Sequence, residues 1–305
     1  MMLNHLILST KIKMTKRKKN GIISKSTLPL SKERKMEKKV LKTELKDRFN
    51  LTERQLEKML IDSKKPKKKV IKINKPAKTF KIAVVTDTHL CSTKCAFGEL
   101  ESFYKIVKER GIDTVLHAGD LVAGNGKMFR GQLSEMTHYG FQAQKDFAIE
   151  NYPRVSGITT FVVAGNHDLS FFNDNGADIV EEISQQRSDI KYLGHYGATF
   201  TINGIKIELL HPDKGGSYAL SYSSQRIIEQ LESGTKPHVY IFGHWHTAVY
   251  YHHRGVHVLH GGAWEHQSLY LKRKGINPSI GGWILTISTD NKGNVISFLP
   301  EFLKF

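Results

Sequence analysis

The chain has 305 residues and a formal net charge of +17. That length holds one large α/β domain with a sizeable core and a small accessory module. Two cysteines, Cys91 and Cys95, exclude a disulfide framework and point to a reducing, cytoplasmic setting. No secretory leader is visible, and no apolar run approaches the ~20 residues of a spanning helix, so no membrane association is expected.

The charge is unevenly placed. Residues 1–78 carry 25 Lys/Arg against 7 Asp/Glu, whereas the remainder carries 21 against 22. A focused basic segment beside a near-neutral domain suggests a polyanionic partner, nucleic acid first. A solubilising tail is the plain alternative.

In chain order, residues 1–36 are lysine-rich without periodicity and read as a mostly disordered basic arm. Residues 37–49 place Val40, Leu41, Leu45 and Phe49 at helical spacing. Thr52 and Gln55 form a capping box for a second short helix carrying Leu56, Met59 and Leu60. The pair resembles a helix-turn-helix. Lys64, Lys65, Lys67, Lys68 and Lys69 make a basic run expected to bind nucleic acid, and the strand-like residues 70–73 could form a wing. A helical hairpin serving as a lid or oligomer contact is an equal reading of 37–79.

From residue 80 to 305 apolar strand-like runs alternate with amphipathic helices, which argues an α/β domain. Strands are expected at 81–86, 114–117, 159–164, 205–210 and 238–242, and helices at 97–110, 179–187 and 221–232. A closing β-hairpin, 283–288 and 295–299, flanks a Thr-Asp-Asn-Lys-Gly turn.

Five of these strands end alike. The first runs into Asp87-Thr88-His89, the second into Gly119-Asp120, and the third into Gly165-Asn166-His167-Asp168. The fourth ends in His211 and the fifth in Gly243-His244-Trp245-His246. Sites in α/β sheets form at the carboxyl ends of strands. Glycine there permits a sharp turn. Asp87, His89, Asp120, Asn166, His211, His244 and His246 make a mixed O/N donor set suited to Mn²⁺, Fe²⁺, Zn²⁺, Co²⁺ or Ni²⁺. Seven donors are too many for one ion and suit two ions that share a carboxylate. A single histidine in such a place would more often be structural, but five clusters at successive strand ends are hard to explain by packing.

These blocks, D-x-H, G-D, G-N-H-[D/E], a lone H and G-H-x-H, in that order, resemble the calcineurin-like metallophosphoesterase superfamily. The resemblance implies a four-layer α/β/β/α sandwich of two mixed sheets, here preceded by a small helical extension. It implies two divalent metal ions, manganese foremost. Asp87, His89 and His246 would hold one ion, Asn166, His211 and His244 the other, and Asp120 would bridge them. His167 would protonate the leaving oxygen, with Asp168 orienting its ring or fixing its tautomer. The Gly119-Asp120 block lacks the following arginine of Ser/Thr protein phosphatases, and Asp168 occupies the place usual in the superfamily's DNA-repair nucleases.

Two further segments are candidate substrate contacts. The glycine-rich stretch after His211 precedes a helix and could bind an anion, with Lys214 adding charge. An ordinary glycine turn is the alternative. Gln267, Lys272, Arg273 and Lys274, after a strand end at Gly261-Gly262, could meet substrate phosphate or simply form a solvated loop. The expected activity is hydrolysis of phosphodiesters in nucleic acid, as a nuclease or end-processing enzyme. The alternatives are a phosphatase or cyclic-nucleotide phosphodiesterase for small molecules or phosphoproteins, and a non-catalytic scaffold.

Overall fold

The computed structural model describes Thr52 and residues 70–305, apart from 127–129, 233 and 291–292. The basic arm, the helix-turn-helix-like stretch 37–62, and Lys64, Lys65, Lys67, Lys68 and Lys69 lie outside the described residues. The chain divides into two units, Met1–Lys65 and Pro66–Phe305, and both sheets belong to the second.

The strands are β1 (Val70–Ile73), β2 (Thr79–Val85), β3 (Thr114–His117), β4 (Thr159–Ala164), β5 (Ile190–His195), β6 (Gly197–Ile202), β7 (Ile205–Leu210), β8 (Val239–Phe242), β9 (Ala248–His253), β10 (Val256–Gly261), β11 (Gly281–Thr289) and β12 (Val295–Lys304). They form two mixed six-stranded sheets, in the orders β1-β6-β7-β8-β10-β9 and β12-β11-β2-β3-β4-β5. Within the second sheet β2, β3, β4 and β5 run parallel. In the first, β7, β8 and β10 do. The helices are α1 (Phe97–Glu109), α2 (Phe141–Asn151), α3 (Leu169–Asn175), α4 (Ile179–Gln186), α5 (Tyr222–Glu229) and α6 (Leu269–Arg273), with a 3₁₀ turn η1 at Arg130–Glu135.

Strand β2 shows why the chain makes four layers. Its alternate side chains point to opposite faces. Phe80, Ile82 and Val84 enter a core shared with Phe200, Ile207, Leu209 and Ile241 of the facing sheet. Ala83 and Val85 enter a second core under α1, α2 and α4. A strand covered on both faces reads as a near-continuous apolar run, as 82–85 does. On α1, Leu100, Phe103, Tyr104 and Val107 are buried, one stripe at helical spacing. Beyond the other sheet, Ile228 of α5 packs with Tyr240, Phe242, Val256 and Val258. The order is helix, sheet, sheet, helix.

Within the described residues, the strands and helices expected between 80 and 305 form, with ends shifted by up to a few residues. Elements without a strong period were not anticipated: β5, β6, β9, α2, α3, α6 and η1. Residues 70–73 do form a strand, but not a wing. They pair in parallel with β6, Val70 opposite Thr199 and Ile73 opposite Ile202, because Ile71 and Ile73 pack on the inter-sheet core. Among the described residues no helix is long and apolar enough to cross a membrane.

Candidate metal centre

Parallel strands deliver their carboxyl ends to one edge, and the predicted donors follow those ends. Asp87 and His89 follow β2, Asp120 follows β3, Asn166 and His167 follow β4, His211 follows β7, and His244 and His246 follow β8. The turns are tight and backbone-bonded. Asp87 N–H donates to the Gly119 carbonyl at 2.9 Å, and His89 N–H to the Asp120 carbonyl at 3.1 Å. Nine described non-glycine residues have positive φ, and Asp87, His89, Asp120, His244 and His246 are five of them. That conformation is costly for a side-chain-bearing residue and clusters where function demands it. Glycine is needed where donors crowd the backbone: a methyl at Gly165 would overlap the Asp120 carboxylate, and one at Gly119 the His211 ring.

The donors meet in three overlapping groups, linked through His89 and Asp120. Ligand atoms of Asp87, His89 and His246 lie within 4.8 Å of one another, as do those of Asp120, His211 and His244, and those of His89, Asp120 and His167. Asn166 Oδ1 sits 2.9 Å from His211 Nε2 and 2.8 Å from His244 Nδ1. Asp120 Oδ2 is 3.1 Å from His211 Nε2 and 3.8 Å from His89 Nε2. All seven predicted donors are thus brought together, with Asp120 between His89 and His211.

The electrostatics fit cations. Asp87 and Asp120 are 0% and 1% exposed. Burial acts to raise the Asp87 carboxyl, yet His246 and His211 beside it hold it at about 2. Burial likewise opposes ionisation of Asp120, which His211 and His167 nevertheless hold well below the carboxylate range. Burial acts to lower His211, but Asp120 pushes it up to about 9. Burial takes His89 and His244 down to about 4. His89 Nε2 and His246 Nε2 face each other at 3.2 Å. Ionised buried carboxylates, neutral His89 and His244, and a His211 ring whose proton an ion would displace make a donor set for divalent transition ions, so the residues fit the two ions that the sequence implied.

Surrounding groups set tautomers. His211 Nδ1 meets the Ala118 carbonyl at 2.8 Å, and His167 Nδ1 meets that of Ala123 at 2.7 Å. Each nitrogen must donate there, which leaves Nε2 as the basic nitrogen of the neutral ring. Asp168 was expected to do this for His167. Instead its carboxylate accepts the N–H groups of Leu121 (3.1 Å), Val122 (3.0 Å) and Gly165 (2.9 Å), tying the β3 and β4 turns together. Burial and the charge of Asp120 raise its carboxyl to about 7.

A small, shallow cleft opens beside the donors, lined by His89, His167, Glu135, Glu265 and Ser268 among others. Glu265 was not anticipated, although it follows β10 and two glycines in the same strand-end pattern. Glu135, on η1, carries no sequence signal. The substrate candidates are not among the donors. Lys214 and Arg273 are exposed, and the contact made by Lys214 is through its carbonyl, which accepts Trp245 Nε1–H at 2.9 Å.

Residues 80–273 match the family model described as the calcineurin-like phosphoesterase superfamily domain. The DNA polymerase II small subunit of Methanothermobacter thermautotrophicus is 23% identical over 259 residues, covering 70% of this chain and 53% of that protein. The chain therefore spans about half the length of the curated relative it matches. Among solved structures, an archaeal phosphodiesterase is 17% identical and covers 73% of this chain and 100% of its own, with a TM-score of 0.42. Zinc-bound Vps29 from Entamoeba histolytica is 16% identical, covering 74% and 99%, with a TM-score of 0.38. With the family's domain matched over more than half of its length, the chain belongs to the calcineurin-like phosphoesterase superfamily.

Proposed function

We propose that this protein is a two-metal phosphodiesterase acting on nucleic acid, with manganese the expected metal. The observation that carries this is the place of Asp120, grouped within 4.8 Å with His89 on one side and with His211 and His244 on the other. Asp87, His89 and His246 would hold one ion, Asn166, His211 and His244 the second, and Asp120 both. Two such ions supply an activated water and neutralise charge on the phosphoryl group.

The chain's own residues do the rest. The Ala123 carbonyl orients His167, and Asp120 Oδ1 accepts the His167 backbone N–H at 2.8 Å. His167 thereby lines the cleft, and its imidazolium form, with Nδ1–H on the Ala123 carbonyl, would pass the Nε2 proton to the leaving oxygen and return to the neutral ring. Asp168 keeps the two donor turns in register. Nucleic acid as substrate is supported by the basic residues of 1–78, and a DNA polymerase subunit among the relatives is consistent with it.

The test compares hydrolysis of bis-p-nitrophenyl phosphate and p-nitrophenyl phosphate with Mn²⁺, for wild type and His167→Ala. Diester preference, with turnover reduced by about 10²–10⁴-fold in the variant, is expected. Monoester preference would replace this reading with a phosphatase. Absence of hydrolysis in metal-loaded protein would sink it in favour of a scaffold.

A further inference from the structure

Beside the donors, one rim of the cleft carries an unusual surface. Leu133 of η1, Tyr139, and Leu269 and Tyr270 of α6 are 41%, 58%, 61% and 45% exposed. They flank residues that line the cleft itself, Glu135 and Ser268. The Glu135 carboxylate joins the two parts of the rim by accepting the Leu269 N–H at 2.9 and 3.2 Å. The Tyr139 hydroxyl donates to the Leu133 carbonyl at 3.2 Å, and Lys274 Nζ stands 5.8 Å from the Tyr270 ring centre. Between His266 and Ile280 the chain has three cations, Lys272, Arg273 and Lys274, and no acid.

We propose that this rim is a stacking platform for the bases of single-stranded nucleic acid, so that the strand entering the cleft is unpaired where it crosses η1 and α6. The proposal rests on the nucleic-acid phosphodiesterase reading and narrows its substrate. Rings that offer a π-face next to backbone-neutralising cations are the chemistry of single-strand binding. A duplex covers its base faces by its own stacking and leaves such rings without a partner. A small phosphomonoester without a base could pair with the cations but would leave the rings unused. The basic N-terminal residues add attraction for phosphate on any strand, paired or not, and that attraction is salt-dependent.

The experiment uses the full chain in EDTA, so that binding is read without cleavage. Fluorescence anisotropy compares labelled oligo(dT) with an abasic oligomer of the same length, which keeps the phosphates and lacks the bases. Oligo(rU) distinguishes RNA from DNA. Wild type is expected to prefer the base-bearing strand at least about fivefold. Tyr270→Ala and Tyr139→Ala should erode that preference, and Tyr270→Phe should keep it. Equal affinity for base-bearing and abasic strands, or a preference unmoved in both alanine variants, would overturn the platform. Thermal melts confirm that the variants fold. Bis-p-nitrophenyl phosphate hydrolysis by the same preparations, with Mn²⁺ restored, separates the two ideas. Hydrolysis with base-independent binding removes the platform alone, and base-dependent binding without hydrolysis removes the nuclease reading alone.

Discussion

Gly165→Ala tests the architecture of the centre through one methyl group. An ideal Cβ at Gly165 would fall on the Asp120 carboxylate, 2.6 Å from Asp120 N and 2.8 Å from its Cγ. The Asp120 side chain has little room to yield, since it accepts the His167 N–H at 2.8 Å and lies 3.1 Å from His211. Overpacking of this kind costs about 1–3 kcal/mol, or about 2–12 °C of melting temperature for a domain of this size. The larger effect should be on metal. A ligand at a hundred times its Kd stabilises the folded state by about 2.7 kcal/mol, so excess Mn²⁺ should raise the wild-type melting temperature by about 5–11 °C. In Gly165→Ala that rise should shrink to a small fraction, and diester hydrolysis should fall with it. Gly98→Ala, where a methyl meets nothing within 4 Å, serves as the control. Differential scanning fluorimetry with and without Mn²⁺ reads both quantities. A full Mn²⁺-induced rise with normal hydrolysis in Gly165→Ala would refute the assignment of Asp120 as the shared ligand.

Two predictions concern the frame. Asp178 caps α4 by accepting the Glu181 N–H at 3.1 Å, and it also accepts from Tyr192 at 2.5 Å and pairs with His195 at 2.8 Å. Burial acts to raise its carboxyl, but the His195 and Tyr192 hydrogen bonds leave it below the usual 3.8. Its contribution is therefore complete above the unfolded value and fades as pH falls through the lower folded one. Asp178→Ala should cost about 2–4 kcal/mol at pH 7 and progressively less below pH ~4; urea midpoints that differ equally at pH 7 and pH 3 would contradict this. Arg187, 0% exposed, forks onto Asp189 and donates to the Ile149, Tyr152 and Pro153 carbonyls. Arg187→Met removes those donors and should cost about 3–5 kcal/mol, read as a lowered denaturant midpoint; a loss below ~1 kcal/mol would show that water replaces the guanidinium.

The donors, and the strands that carry them, were legible from the residues alone. An apolar run buried on both faces is recognisable without a partner, and a turn bearing Asp, Asn or His, most often beside glycine, is visible at the end of each. What depends on neighbours distant in the chain was not legible. Val70–Ile73 reads as a strand anywhere, but only β6 supplies the edge that draws it into the sheet. Asp168 looks like a partner for the adjacent His167, yet folding brings the Ala123 carbonyl to that ring and the Leu121 and Val122 amides to the carboxylate. Glu135 reaches the cleft because η1 meets α6, a contact between segments far apart in the chain that no local pattern encodes. Local spacing sets which side chains a strand end presents; packing between elements sets which of them meet.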